Sequence, residues 1–141
     1  IHIIKKNIVF EDNYWKISGS HDGYLKKFKT IHEREIEFYP EQMKFIGFDK
    51  LLKKDKSENI KFDIRFHLEP SSKVMKTQDN KSILIEIENE GWKFNCENFD
   101  INIDNGLYLG IKNSYKENQN ICISGINKEE NQTIKWEISK I

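Results

Sequence analysis

Three of the four histidines stand beside other groups able to move or bind protons. His21 opens His21-Asp22-Gly23-Tyr24, His32 lies in Ile31-His32-Glu33-Arg34, and His67 lies in Arg65-Phe66-His67-Leu68-Glu69-Pro70. A histidine and a tyrosine close together supply a base and an acid for abstracting a proton α to a carboxylate. Arg34 or Arg65 would bind that carboxylate bidentately and stabilise the enolate that follows. His21, Tyr24, His32, Arg34, Arg65 and His67 are therefore the candidates for a cleft or a domain interface. The same spacing also has a structural reading, which carries the greater weight. A histidine in an Asp-Gly turn makes local hydrogen bonds. His32, Arg34, Arg65 and His67 alternate with Ile31, Phe66 and Leu68, as a polar stripe on one sheet face would. No catalytic residue is assigned from these side chains alone.

Aromatic and sulfur-bearing residues add two further readings. Trp15, Trp92 and Trp136, with Tyr14, Tyr24 and Tyr108, could stack on sugar rings. Trp92 and Trp136 sit within alternating stretches, where core packing is the default, whereas Trp15 and Tyr24 adjoin turns. Cys96 and Cys122 lie in apolar alternating stretches and read as buried free thiols rather than a disulfide. Without a Cys-x-x-Cys pair, a zinc site built by this chain alone is not expected. Asn131-Gln132-Thr133 matches a glycosylation sequon, at a frequency close to chance in so asparagine-rich a chain.

Strands must position these groups. The sequence has no alanine, and isoleucine, threonine and aromatics fill its apolar positions, a composition suited to pleated sheet. Period-two alternation is plain in 31–38, 83–88, 99–104, 121–126 and 134–139, with one face in and one face out. Breaks fall at Glu11-Asp12-Asn13, Ser20-His21-Asp22-Gly23, Tyr39-Pro40-Glu41, Pro70-Ser71-Ser72, Gln78-Asp79-Asn80, Asn89-Glu90-Gly91 and Asn105-Gly106. Asn89-Glu90-Gly91 reads as a tight hairpin. Residues 51–59 read as a short helix or a polar loop. The expectation is all-β: a meandering antiparallel β-sandwich of about ten strands, forming a single domain over 1–141.

Composition narrows the partners. Lys plus Arg and Asp plus Glu both number 23, so no basic excess favours nucleic acid. No apolar run is long enough to span a bilayer. The chain opens at Ile1, inside an alternating stretch with no signal peptide, which suggests a piece of a longer protein.

Taken in order, the motifs resemble the C-terminal region of the heparinase II/III-like family of polysaccharide lyases. That family's His-Asp-Gly-Tyr turn is matched by His21-Asp22-Gly23-Tyr24, and its His-Arg-Arg strand by His32-Glu33-Arg34. A Gly-x-Asp-x-Leu turn is matched by Gly47-Phe48-Asp49-Lys50-Leu51. Arg65-Phe66-His67-Leu68-Glu69-Pro70 then matches its Arg-Phe-His-Leu-His-Pro strand. Gly91-Trp92-Lys93-Phe94, Asp104-Asn105-Gly106-Leu107-Tyr108 and Trp136 complete the series, with Glu33, Glu69 and Gly106 as departures. The resemblance implies a parent protein with an upstream α/α toroid that cleaves an acidic, uronate-containing polysaccharide by β-elimination. It further implies a periplasmic or secreted parent, in which a divalent metal (zinc or calcium) is possible. The family's catalytic and metal-binding residues fall mostly upstream of the matched region. This chain would be the supporting sandwich, with no cofactor of its own and inactive or nearly so when alone; the alternative, raised by the aromatic residues beside turns and the even charge balance, is a stand-alone carbohydrate-binding or structural sandwich.

Overall fold

The computed structural model describes residues 1–55 and 58–141. Among these are eleven strands: β1 (Ile3–Glu11), β2 (Tyr14–His21), β3 (Thr30–Tyr39), β4 (Lys44–Lys53), β5 (Ile60–His67), β6 (Lys73–Lys76), β7 (Ser82–Ile87), β8 (Glu90–Asn95), β9 (Asp100–Tyr108), β10 (Lys116–Asn127) and β11 (Asn131–Lys140). One helical turn, α1 (Leu25–Phe28), joins β2 to β3, and a 3₁₀ turn at Pro40–Gln42 joins β3 to β4. The strands form two antiparallel sheets that pack as a sandwich. The large sheet runs β1-β2-β3-β4-β11-β8-β7-β6 and the small one β5-β10-β9. The order departs from a plain meander at two places: β11 lies between β4 and β8, and β10 lies between β5 and β9.

Register carries the alternation of the sequence into three dimensions. In β3, Thr30, His32, Arg34, Ile36 and Phe38 face inward, opposite Lys53, Leu51, Asp49, Gly47 and Phe45 of β4. Outward-facing Glu33, Glu35 and Glu37 meet Lys50, Lys16, Tyr14 and Tyr39. The core joins Leu51, Ile83, Ile85, Phe94, Ile134 and Trp136 of the large sheet to Ile64, Ile101, Ile121 and Ile123 of the small one. Cys96 is in this core, and Cys122 is buried outside it; both are free.

Several sequence-based expectations change. Residues 51–53 end β4 and residues 54, 55, 58 and 59 are not helical, so the helix considered for 51–59 does not form there; residues 56 and 57 lie outside the described residues. The hairpin turn is Glu88-Asn89, not Asn89-Glu90-Gly91. Both turn residues have positive φ (50° and 66°) and Glu90 already pairs with Ile87, which is the geometry of a two-residue mirror-image turn. Gly47-Phe48-Asp49-Lys50-Leu51 and Asn105-Gly106 are not turns but stretches of β4 and β9. Their glycines answer to close packing. A Cβ on Gly47 would lie 2.0 Å from the Trp136 ring, and one on Gly106 would lie 2.3 Å from the Asn120 amide nitrogen.

Replacing Gly47 by alanine should therefore cost at least about 2 kcal/mol, because the buried indole has nowhere to retreat. Gly91→Ala, whose Cβ would sit 3.8 Å from Ile141, serves as the near-neutral control. Urea unfolding of the two variants checks this, and equal losses would contradict it.

Candidate functional site

The inward face of the large sheet carries a polar cluster near its centre. There, Gly19, Arg34, Asp49 and Ile134 form one row across β2, β3, β4 and β11. His21 and His32 lead the next row, beside Leu51. The row on the other side holds Ile17, Ile36, Gly47 and Trp136. This register surrounds the Asp49 carboxylate with donors. Arg34 faces it directly across the strand pair, while His32 and Trp136 reach it diagonally from opposite sides. Gly47 makes the last contact possible, since only a missing side chain lets the indole lean across β4.

Asp49 is fully buried and accepts four hydrogen bonds. His32 Nε2 donates to Oδ1 at 2.6 Å, and Arg34 donates from Nε to Oδ1 at 2.8 Å and from Nη2 to Oδ2 at 3.2 Å. Trp136 Nε1 donates to Oδ2 at 2.8 Å. Burial alone would push this carboxyl up. The bonds from His32 and Arg34, the guanidinium charge and the Trp136 bond together prevail and hold it below the usual carboxylate range. Phe66 of the small sheet closes the cluster, with its ring 5.5 Å from the Arg34 guanidinium and 4.8 Å from the Trp136 ring.

A hydrogen-bonded chain continues outward. The Gly23 N–H donates to His21 Nδ1 at 3.1 Å, and His21 Nε2 lies 3.2 Å from His32 Nδ1. Because His21 Nδ1 accepts, its proton is on Nε2, which donates to His32 Nδ1. His32 in turn carries its proton on Nε2, towards Asp49. Burial and the neighbouring His32 lower the proton affinity of His21, consistent with a neutral ring. Tyr24, the residue before α1, packs its ring 5.4 Å from that of His21 and is 48% exposed.

The structure thus gathers His21, Tyr24, His32 and Arg34, but it separates them from the rest of the expected stripe. Arg65 and His67 alternate with core-facing Ile64 and Phe66, so they point away from the large sheet. Arg65 is paired with Asp104 at 2.9 Å and Asp63 at 3.3 Å, and His67 is exposed on the far end of β5. The single polar stripe becomes two, on different sheets. Trp136 is core, Trp92 is half-buried against it, and Trp15 remains 45% exposed. The sequence reading passed over Asp49 as a chemical group. One signal was available: Phe45, Gly47, Asp49 and Leu51 share a parity, which puts a lone carboxylate on an inward face where it needs partners.

Beside this network a cleft of about 410 Å³ opens between the two sheets. Tyr24, Phe28, His32, Arg34, Phe62 and Asn127 are among the residues that line it. Asp49 has both oxygens committed to N–H donors, and among the described residues no group of three His, Cys, Asp or Glu is placed to hold a metal ion.

The sequence matches the family described as heparinase II/III-like, C-terminal, over residues 3–137. The chain belongs to that family. Its fold agrees with solved structures containing such a domain. The chain superposes on a heparan sulfate lyase HepC mutant from Pedobacter heparinus with a TM-score of 0.82 at 10% identity, covering 98% of this chain and 21% of that one. The heparinase III BT4657 gene product gives a TM-score of 0.76 at 14% identity, covering 99% and 21%. Its form with methylated lysines gives 0.72 at 13%, covering 97% and 21%. The heparinase II/III-like C-terminal domain thus spans about a fifth of the length of the enzymes it resembles. No curated protein sequence is significantly similar to it.

Removing the Asp49 carboxylate strands one cation and two neutral donors in the interior of this domain. Asp49→Ala should lose about 3–5 kcal/mol of stability, read by urea unfolding; a loss under about 1 kcal/mol would show that the network holds nothing together.

Stability should also fall on acidification. The folded chain protonates His21 less readily than the unfolded chain does, so protons taken up below about pH 6.5 favour unfolding. Asp49 acts in the same direction further down: its contribution is complete above about pH 3.9 and is lost as pH falls through its lower folded-state value. Unfolding midpoints across this range, with His21→Gln flattening only the upper part, check the assignment.

Proposed function

We propose that this chain is the C-terminal β-sandwich of a heparinase II/III-like polysaccharide lyase, and that the whole protein cleaves a uronate-containing polysaccharide by β-elimination. Family membership over residues 3–137 is the observation that carries this reading. In such a reaction the substrate carboxylate is neutralised, a base removes the adjacent proton, and an acid assists departure of the glycosidic oxygen. The clustered imidazoles, His21 and His32, are poorly placed to act as that base unaided. His21 accepts from Gly23 and donates to His32, and His32 accepts from His21 and donates to Asp49. With each ring nitrogen of these two engaged, the pair forms a braced wall rather than a free base. Catalysis then rests on the complete protein.

The uncovered end of the large sheet supports a docking role. The small sheet does not reach β1 and β2, and Ile8, Phe10, Trp15 and Ile17 remain exposed on the inward face. Phe10, Trp15, Phe38 and Phe45 form a continuous aromatic row, with centroids 6.0, 5.3 and 4.4 Å apart. Such a patch marks an interaction surface, and in the lyase reading its partner is an upstream α/α toroid, with the acidic polysaccharide running along the junction.

Incubating the full-length protein and this chain separately with a panel of uronate polysaccharides tests the proposal, with unsaturated products read by ultraviolet absorbance. Activity in the full-length protein alone is expected. Activity in the isolated chain would overturn the supporting role, and silence from both would remove the lyase reading.

A further inference from the structure

The two sheets are unequal, and the shorter one stops at an open edge. At one end β9 is tied to β6 of the large sheet, where Lys76 Nζ donates to Asn102 Oδ1 at 3.3 Å. At the other end β5 pairs, among the described residues, with β10 alone. One bond fixes the direction of every main-chain group on β5. The Leu68 N–H donates to the Gln119 carbonyl at 3.1 Å, and β5 runs beside β10 from Ile60 to His67 without a shift of register. Bonding to a given neighbour alternates along an antiparallel strand. Ile60, Phe62, Ile64 and Phe66 therefore turn their N–H and C=O groups to β10, whereas Lys61, Asp63, Arg65 and His67 turn theirs to the open side.

This open side borders the cleft. All six residues from Ile60 to Arg65 line it, so the edge of the strand faces the cleft rather than one of its two faces. His32, Arg34 and Leu51 of the large sheet line it too, as do Tyr24 and Phe28. Phe66 lies against both Arg34 of β3 and Trp136 of β11, which puts β5 above β4. One strand spacing, about 4.8 Å, then carries the small sheet over β3, and a second carries it over β2. Ile17 and Trp15 of β2 are exposed there. An occupant that satisfies this edge must offer main-chain donors and acceptors in register, with apolar side chains on alternate residues. That is an extended polypeptide, joining by strand addition.

We propose that the protein upstream of this chain supplies that strand, which pairs with β5 and extends the small sheet over the exposed end of the large one. This names the part of the upstream protein that meets the docking face, and it rests on the lyase reading for such a part to exist. Length allows it, since this chain covers 21% of each solved relative. Reach allows it as well. The His2 N–H donates to Asp22 Oδ1 at 2.7 Å, and Ile1 comes within 3.3 Å of the Cβ position at Gly23, next to Tyr24 of the cleft. A segment ahead of Ile1 thus leaves from beside the cleft. A helical surface laid on the same patch would cover Ile17 and Trp15 but leave the four outward-turned amides of β5 in water. The two occupants differ in which backbone groups they protect.

Amide hydrogen exchange of the full-length protein and of this chain, resolved to single residues by mass spectrometry with electron-transfer fragmentation, tests the assignment. In this chain the amides of Lys61, Asp63, Arg65 and His67 are expected to exchange freely, and those of Phe62, Ile64 and Phe66, bonded to β10, slowly. In the full-length protein the first four should slow by at least about a hundredfold, so that protection becomes continuous along the strand. Four amides as fast in the full-length protein as in this chain would overturn the proposal. Slow exchange of the four in this chain itself would overturn it too, and a dependence on protein concentration would then assign the edge to a second copy. An active full-length lyase whose β5 edge stays open would sink the added strand and spare the lyase reading. A protected edge in a full-length protein that yields no unsaturated products would do the reverse.

Discussion

One carboxylate organises the middle of this sandwich. Asp49 sits at the centre of a four-strand row, and its burial would be prohibitive without the donors on three neighbouring residues. Arg34 alone would leave Asp49 half-satisfied; His32 and Trp136 fill the remaining positions. The requirement propagates outward. Trp136 reaches Asp49 because residue 47 has no side chain, Phe66 must cover the guanidinium, and His32 must hold its proton on Nε2, which sets His21 in turn. A buried ion pair is a poor source of net stability compared with an apolar core, so its value here lies in specificity. A one-residue slip of β3 against β4 would bring glutamates inward and leave Asp49 without its arginine. The polar cluster thus fixes the register of two long strands whose apolar residues are otherwise interchangeable.

Much of this was legible in the residues, and the failures have physical causes. The strand at 31–38 was readable because its outward glutamates and inward isoleucine and phenylalanine differ so sharply. The turn at Ser20-His21-Asp22-Gly23 was readable, whereas the helical turn at Leu25–Phe28, which returns the chain so that His21 and Tyr24 lie beside His32, was not. Arg65 and His67 were misplaced because parity within a strand says nothing about which sheet the strand joins. Gly47 and Gly106 looked like turns, as glycine usually does, when their purpose is to admit a bulky or polar side chain from the next strand.

The division of labour between the faces is equally physical. Outward glutamates of β3 pair with lysines and tyrosines in solvent, where such pairs add little individually but keep that face from sticking to others. The inward face is apolar even past the edge of the small sheet, so its exposed end is unsuited to water and suited to a neighbour. The polar chemistry of this domain is gathered at the boundary between the covered and uncovered halves of that face.

The position of β11 has a consequence for how such a domain comes to be folded. This strand lies between β4 and β8 and supplies Ile134, Trp136 and Ile138 to the core. During synthesis β1 to β4 can form a meander as they emerge, and β6 to β8 can form another, but the two halves have no common edge until the final strand is inserted. Contacts of such long sequence separation slow folding, and two unpaired edges stay open to other chains in the meantime. Emergence of β11, rather than of any earlier segment, is the event that closes the sheet.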